Sequence, residues 1–293
     1  MRLLYFIIVL CTFFISLAFT LATESLKSHR PAVIMVPGAF HSGAVFDQVV
    51  NALASAGYSY LDIVELKSVG SLATRQDDIE PVVEALTRHI NAGRDVVLVG
   101  NSYGATVIGE AVRSFPCYDP STARPRIDGQ VLGLIYLNGY IPFTTEVTQP
   151  WTHADIRLVS PSWFAFDSND SSADVPRTVR WDGSLEMFPP QKTFYNLLPK
   201  ESADYWSKKL TFSSFVALNT TAQYVPYTGD FRVVYMAGNY DNSVPEALWT
   251  LYLNQSGAKM KLERLDADHV SMLSKPAEVA GLIRKYAEGQ VAW

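Results

Sequence analysis

Ser102 stands in Gly100-Asn101-Ser102-Tyr103-Gly104, directly after the apolar run Val96-Val97-Leu98-Val99 and directly before a helix-like stretch, Ala105 to Arg113. A strand-to-helix turn tight enough to lift a serine hydroxyl clear of a sheet leaves almost no room two places either side of the serine, and both places hold glycine. A serine hydroxyl at its own pKa is a weak nucleophile. It needs a base to take its proton, a carboxylate to orient that base, and N–H donors for the oxyanion that forms at an attacked carbonyl.

The chain holds five histidines. His269 lies in Leu265-Asp266-Ala267-Asp268-His269-Val270, between an apolar segment and a helical one, where a loop imidazole can reach Ser102. With the order serine, acid, histidine that such a turn requires, His269 is the expected base. His89 reads as a solvated helix residue, His29 adjoins the leader, and His153 falls in an irregular region. The acid is expected at a strand end between Ser102 and His269, which points to Asp241 in Gly238-Asn239-Tyr240-Asp241-Asn242. Asp266 and Asp268 are rivals, although Asp268 is adjacent to His269 and its side chain should diverge from the imidazole. The expected oxyanion donors are the N–H of Tyr103 and that of Ala39 in Pro37-Gly38-Ala39-Phe40-His41-Ser42-Gly43, with Phe40 as the alternative to Ala39. His41 either braces this loop through nearby backbone or lines a pocket.

The elements that must position these residues follow a repeating plan. Ala32–Val36 is a continuous apolar run, as expected of a strand buried on both faces of a parallel sheet. Helical spacing follows over Val45–Ala56, a strand over Tyr58–Leu66, a helix over Ile79–Ile90, and strands over Asp95–Val99, Gln130–Leu137, Phe231–Ala237 and Met260–Leu265. Helices are expected around Pro245–Asn254 and Pro276–Glu288. This alternation predicts an α/β fold with a mostly parallel sheet flanked by helices. Residues 144–228 break the rhythm with Pro, Ser, Asp and aromatics, and helical patterns occur only over Ser202–Leu210 and Ser213–Leu218. They read as a helical cap inserted after the strand that ends near Asn138, leaving 31–143 and 229–293 as the core.

At 293 residues, 48% hydrophobic and 18% charged, the chain can build a sizeable core. A net charge of −5 gives no basic footprint for nucleic acid. The histidines are scattered without ligand spacing, so neither metal nor cofactor is expected. Met1-Arg2, the apolar stretch Leu3–Phe19 and the small residues Thr20, Ala22 and Thr23 have the layout of a secretory signal peptide over residues 1–23. The alternative is a membrane anchor formed by residues 3–19. Secretory passage agrees with N-x-S/T sequons at Asn169, Asn219 and Asn254. Of the two cysteines, Cys11 lies in the leader and Cys117 has no partner without it.

Val36-Pro37-Gly38-Ala39-Phe40-His41-Ser42, Gly100-Asn101-Ser102-Tyr103-Gly104, Asn239-Tyr240-Asp241 and Ala267-Asp268-His269, in this order, resemble the α/β-hydrolase superfamily. The segment Phe194-Tyr195-Asn196-Leu197-Leu198-Pro199, with Ala203 and Trp206, resembles the branch of plant methylesterases, hydroxynitrile lyases and small fungal esterase-like proteins. The chain departs from the plant pattern at Pro37, where that pattern has His, and at Ala44, where it has Trp. The resemblance implies hydrolysis of a small aromatic or short-chain ester through an acyl-enzyme on Ser102, with Phe40, His41 and Trp206 as candidate pocket residues. The alternatives are a lyase and a non-hydrolytic small-molecule binder in the same pocket. Hydroxynitrile lyases of this branch carry lysine directly after the histidine, whereas this chain has Val270.

Overall fold

The computed structural model describes residues 30–117, 129–167, 175–181 and 187–293. The leader, Cys11 and the sequon at Asn169 lie outside these residues. Among the described residues no helix is long and apolar enough to cross a membrane.

In chain order the strands are β1 (Ala32–Val36), β2 (Leu61–Ile63), β3 (Val96–Asn101), β4 (Val131–Leu137), β5 (Phe164–Asp167), β6 (Thr178–Trp181), β7 (Ser213–Ser214), β8 (Val233–Gly238) and β9 (Met260–Leu265). Six of them form one sheet in the order β2-β1-β3-β4-β8-β9, and every neighbouring pair is parallel. β1, β3 and β8 are buried at every position. That burial is why they read in the sequence as unbroken Val/Ile/Leu/Met/Ala runs rather than as alternation. The edge strands β2 and β9 are only partly buried, and the Tyr58–Leu66 expectation shrinks to the three residues that pair with β1.

Helices Asp47–Ser55 and Pro276–Ala287 pack on each other, as do Arg75–Asn91 and Gly104–Ala111. Helix Arg75–Asn91 starts earlier than its apolar pattern suggests. Thr74 caps it, accepting from the N–H of Asp77 while the Asp77 carboxylate accepts from the N–H of Thr74. His89 on this helix is buried rather than solvated, with Nε2 at 2.6 Å from Asp62 Oδ2.

The segment between β4 and β8 is not purely helical. β5, β6 and β7 form a second, antiparallel sheet in that order, accompanied by short helices such as Ile156–Val159, Lys200–Ser207 and Phe215–Asn219. The Ser213–Leu218 helix expected from the sequence begins instead as strand β7, because Ser213 pairs with Val179 of β6 and bridges to Val69 of the core. Strands of two to four residues carry too little alternation to be seen in a sequence window.

Candidate active site

The carboxyl ends of β1, β3 and β4 come together, and each is followed by a residue in the left-handed backbone region: Phe40 at φ 70°, Ser102 at φ 49° and Asn138 at φ 49°. Among the described residues these are the non-glycine positions with positive φ. Such conformations cost of the order of 1–3 kcal/mol each and persist only where the surroundings impose them. At Ser102 the imposing bonds are explicit. Its N–H donates to Leu137 O at 3.1 Å, and its carbonyl accepts from Ala105 N and Tyr140 N, each at 3.0 Å. A Cβ on Gly104 would lie 2.4 Å from Pro37 O, and one on Gly100 would lie 2.6 Å from Gly104 O, so the turn closes only with glycine at both places. Gly38 lets the loop after β1 pass over the serine, since a Cβ there would stand 2.8 Å from Ser102 Cβ.

His269 and Asp241, 28 residues apart, meet in the interior, with Nδ1 of the imidazole 2.9 Å from Asp241 Oδ2. The other carboxylate oxygen, Oδ1, accepts from the N–H groups of Ser243 at 2.7 Å and Val244 at 2.9 Å. The acid is therefore held by backbone on one side and offered to the imidazole on the other. With Nδ1–H donated to Asp241, Nε2 is left as the basic nitrogen. Asp268 takes a different part. Its carboxyl accepts from Leu197 N at 3.0 Å and Ser274 Oγ at 2.6 Å, and burial raises its pKa from the ordinary aspartate value. Asp266 accepts from Asn239 Nδ2 at the surface.

The loop after β1 divides its N–H groups. That of Phe40 donates to Ser213 Oγ at 2.9 Å, and that of His41 to Gly38 O at 3.4 Å. Those of Ala39 and Tyr103 have no partner among the described residues, and both residues line the same cavity as Ser102 and His269. His41 is a brace. Its Nδ1–H donates to Ala39 O at 2.7 Å, and its Nε2 accepts from the hydroxyl of Tyr195 at 2.8 Å. Burial, above all, lowers its pKa from 6.5 to about 4, so it is neutral near pH 7.

The cavity at Ser102 measures about 90 Å³. Phe40, Trp163, Phe164, Phe194 and Leu248 make its wall apolar, and Ser102 Oγ and His269 both reach it with no hydrogen bond between them. Serine–base contacts often tighten only when substrate is bound. Of the three candidate pocket residues, Phe40 belongs to this wall. His41 and Trp206 do not; they line a separate crevice with Tyr195 and Leu210. Helix Lys200–Ser207 buries Ala203 and leaves the Trp206 indole in that crevice beside His41, away from the cavity at Ser102.

Several supporting residues escaped the sequence reading. Asn101 and Asn138 each donate Nδ2–H to His269 O at 3.0 Å, and Asn138 also accepts from Gly238 N at 2.6 Å. The Tyr103 hydroxyl donates to Asp78 at 3.1 Å, and Asp78 in turn accepts from Ser68 N at 2.8 Å. Ser213 is separated from Phe40 by 173 residues. No short-range pattern signals such a pair; only Asn101 and Asn138 carried a hint, as polar residues at the ends of buried strands.

A parallel sheet with a serine on a strained turn after a central strand, and a buried carboxylate–histidine pair beside it, defines a class of hydrolase folds. The model of the alpha/beta hydrolase family matches residues 33–282, and the chain belongs to that family. It is similar to an alpha/beta hydrolase, nvfD, of Aspergillus novofumigatus, 26% identical over 267 residues, covering 88% of this chain and 97% of that protein. It is also similar to methylesterase 7 of Arabidopsis thaliana, 23% identical over 279 residues, with 89% and 98% of the two chains covered. Among solved structures, a pyrethroid hydrolase from Sphingobium faniae superposes with a TM-score of 0.68 at 19% identity, covering 88% of this chain and 98% of that one. Polyneuridine aldehyde esterase superposes at 0.65 with 20% identity, covering 87% and 98%.

Proposed function

We propose that the chain is a serine esterase that cleaves a small aromatic or short-chain carboxylic ester. The observation that carries this reading is the 2.9 Å Asp241–His269 contact beside an unpartnered Ser102 hydroxyl in one apolar cavity. Relatives described as a methylesterase and an aldehyde esterase support ester hydrolysis as the activity.

In this reading His269 Nε2 takes the Ser102 proton as Oγ bonds to the ester carbon. The N–H groups of Ala39 and Tyr103 hold the oxyanion, and Asp241 stabilises the imidazolium. As the tetrahedral intermediate collapses, His269 returns the proton to the departing alcohol and leaves an acyl-enzyme. A water deprotonated by His269 then releases the acid and regenerates Ser102. Val270, buried where the related lyases carry lysine, offers no cation to a lyase reaction.

A fluorophosphonate probe tests the reading. Label on Ser102 in the wild type is expected, with hydrolysis of short aryl esters falling on the order of 10⁴–10⁶-fold in Ser102→Ala. Turnover retained in Ser102→Ala would sink it. Secretory passage is part of the proposal, supported by the apolar leader and by the exposed sequon asparagine Asn254. Endoglycosidase treatment of secreted protein should shift its mobility, and Asn254→Gln should reduce that shift.

A further inference from the structure

A second cavity adjoins the one at Ser102, and at about 150 Å³ it is the larger of the two. Tyr140, Ile156, Val159 and Leu218 line both, so these four side chains stand between the chambers. The partition is registered to the nucleophile, because the N–H of Tyr140 donates to Ser102 O at 3.0 Å.

The two chambers differ in chemistry. Around Ser102 the wall is aromatic and aliphatic. The second chamber adds Arg75, Glu146, His153 and several threonines to an apolar wall that includes Ile141, Phe143 and Tyr252. Arg75 already donates to Glu110 at 3.0 Å, to Ala217 O at 3.1 Å and to Leu218 O at 3.2 Å. Glu146 accepts from Ala222 N at 2.7 Å. Two polar groups in this wall stand out. His153 Nε2 is buried and has no hydrogen-bond partner among the described residues; its Nδ1 lies 3.2 Å from Glu146 Oε1, out of line for a hydrogen bond. Tyr140, in the partition, is 36% exposed, and its hydroxyl has no hydrogen-bond partner among the described residues; its ring meets that of Tyr252 edge to face.

A buried polar atom such as His153 Nε2 is costly to leave unsatisfied unless a ligand or water meets it, and the Tyr140 hydroxyl in the same wall is free to bond to the same group. We infer that the substrate is bipartite: an ester with an apolar portion at Ser102 and an uncharged, hydroxyl-bearing arm that enters the second chamber and bonds to Tyr140 and His153. The inference rests on the esterase reading and names its substrate class. A hydroxyl suits these partners because it donates and accepts, so it can bond to His153 Nε2 in either tautomer while accepting from the phenol. A carboxylate does not suit them. The charge of Arg75 is already matched by Glu110, and Glu146 adds a further negative group facing the same space. A purely alkyl arm would leave both polar groups unpaired.

The test uses phenylacetate esters of three alcohols with arms of equal length: hexyl, 5-hydroxypentyl and 4-carboxybutyl. A mirrored set places the same arms on the acyl side. In one of the two series the hydroxyl member is expected to exceed the alkyl member in kcat/KM by about tenfold, with the carboxylate member below both. Within Tyr140→Phe and within His153→Leu, the hydroxyl-to-alkyl ratio should fall toward one, whatever happens to the absolute rate. Trp206→Phe, outside both chambers, should keep the ratio.

A ratio near one in both series, with Ser102 still labelled by fluorophosphonate and the hexyl ester still turned over, overturns the inference and leaves the esterase reading intact. If neither labelling nor turnover occurs, the esterase reading has failed. The chamber is then tested by binding of the corresponding non-hydrolysable ketones, read by isothermal titration calorimetry. Tighter binding of the hydroxy ketone supports the polar chamber, and equal affinities overturn it.

Discussion

Ser213 shows how much a single distant hydroxyl decides. Phe40, a bulky residue at φ 70°, is held on its N–H side by Ser213 Oγ at 2.9 Å and on its carbonyl side by Thr211 N at 3.2 Å. Ser213→Ala leaves a buried N–H unpaired, and urea unfolding should show a loss of about 1–3 kcal/mol. Relaxation of Phe40 would also move the neighbouring Ala39 N–H. Steady-state kinetics should therefore show kcat falling more than KM rises, bounded by the 10²–10³-fold order of a lost oxyanion donor. His41 bears on pH. The unfolded imidazole takes its proton as pH falls through 6.5, whereas the folded one resists until about 4. Over that window the unfolded chain binds a proton that the folded chain refuses, so stability drops as acid is added. Between pH 7.5 and 5 this group alone should remove about 2 kcal/mol, and His41→Gln should flatten that part of the profile in urea titrations.

At the scale of elements, the site is a set of strand ends clamped to one another. Asn138, at the end of β4, reaches the N–H of Gly238 at the end of β8 and the carbonyls of Asp268 and His269 in the loop after β9. Asn138→Gly keeps the permissive backbone and deletes the amide. It should fold, yet lower kcat about tenfold as the imidazole loses its fixed carbonyl, an effect on the order of one or two hydrogen bonds. Gly104→Ala is a different kind of lesion. Its Cβ would press on the carbonyl oxygens of Val36 and Pro37, at 2.5 and 2.4 Å, which cannot move without breaking β1. Thermal melts should show a loss of about 3 kcal/mol.

Across the whole molecule, the inserted segment is attached to the core at a few polar points. The largest is Arg75, whose guanidinium joins Glu110 on helix Gly104–Ala111 to the carbonyls of Ala217 and Leu218 in the insertion. Both members of the 3.0 Å ion pair are almost wholly buried. Glu110→Ala strands a buried cation, so it should cost about 3–5 kcal/mol in urea unfolding. Arg75→Met together with Glu110→Leu should recover most of that loss, because the two charges then leave together.

Local chemistry wrote the core strands and the glycine-flanked serine directly into the chain, since each depends on residues a few places apart, and the expected order serine, acid, histidine then singled out Asp241 and His269 at strand ends. Buried parallel strands were legible as apolar runs, and the turn as two glycines. What the tertiary structure alone decided is relational. Ser213 holds the N–H of Phe40, Asn101 and Asn138 hold the carbonyl of His269, Trp206 stands behind the loop after β1, and a chamber of mixed lining opens beside an apolar one. Each outcome is set by contacts between segments tens to hundreds of residues apart, and a hydrogen bond across such a span leaves no periodicity in the sequence from which to read it.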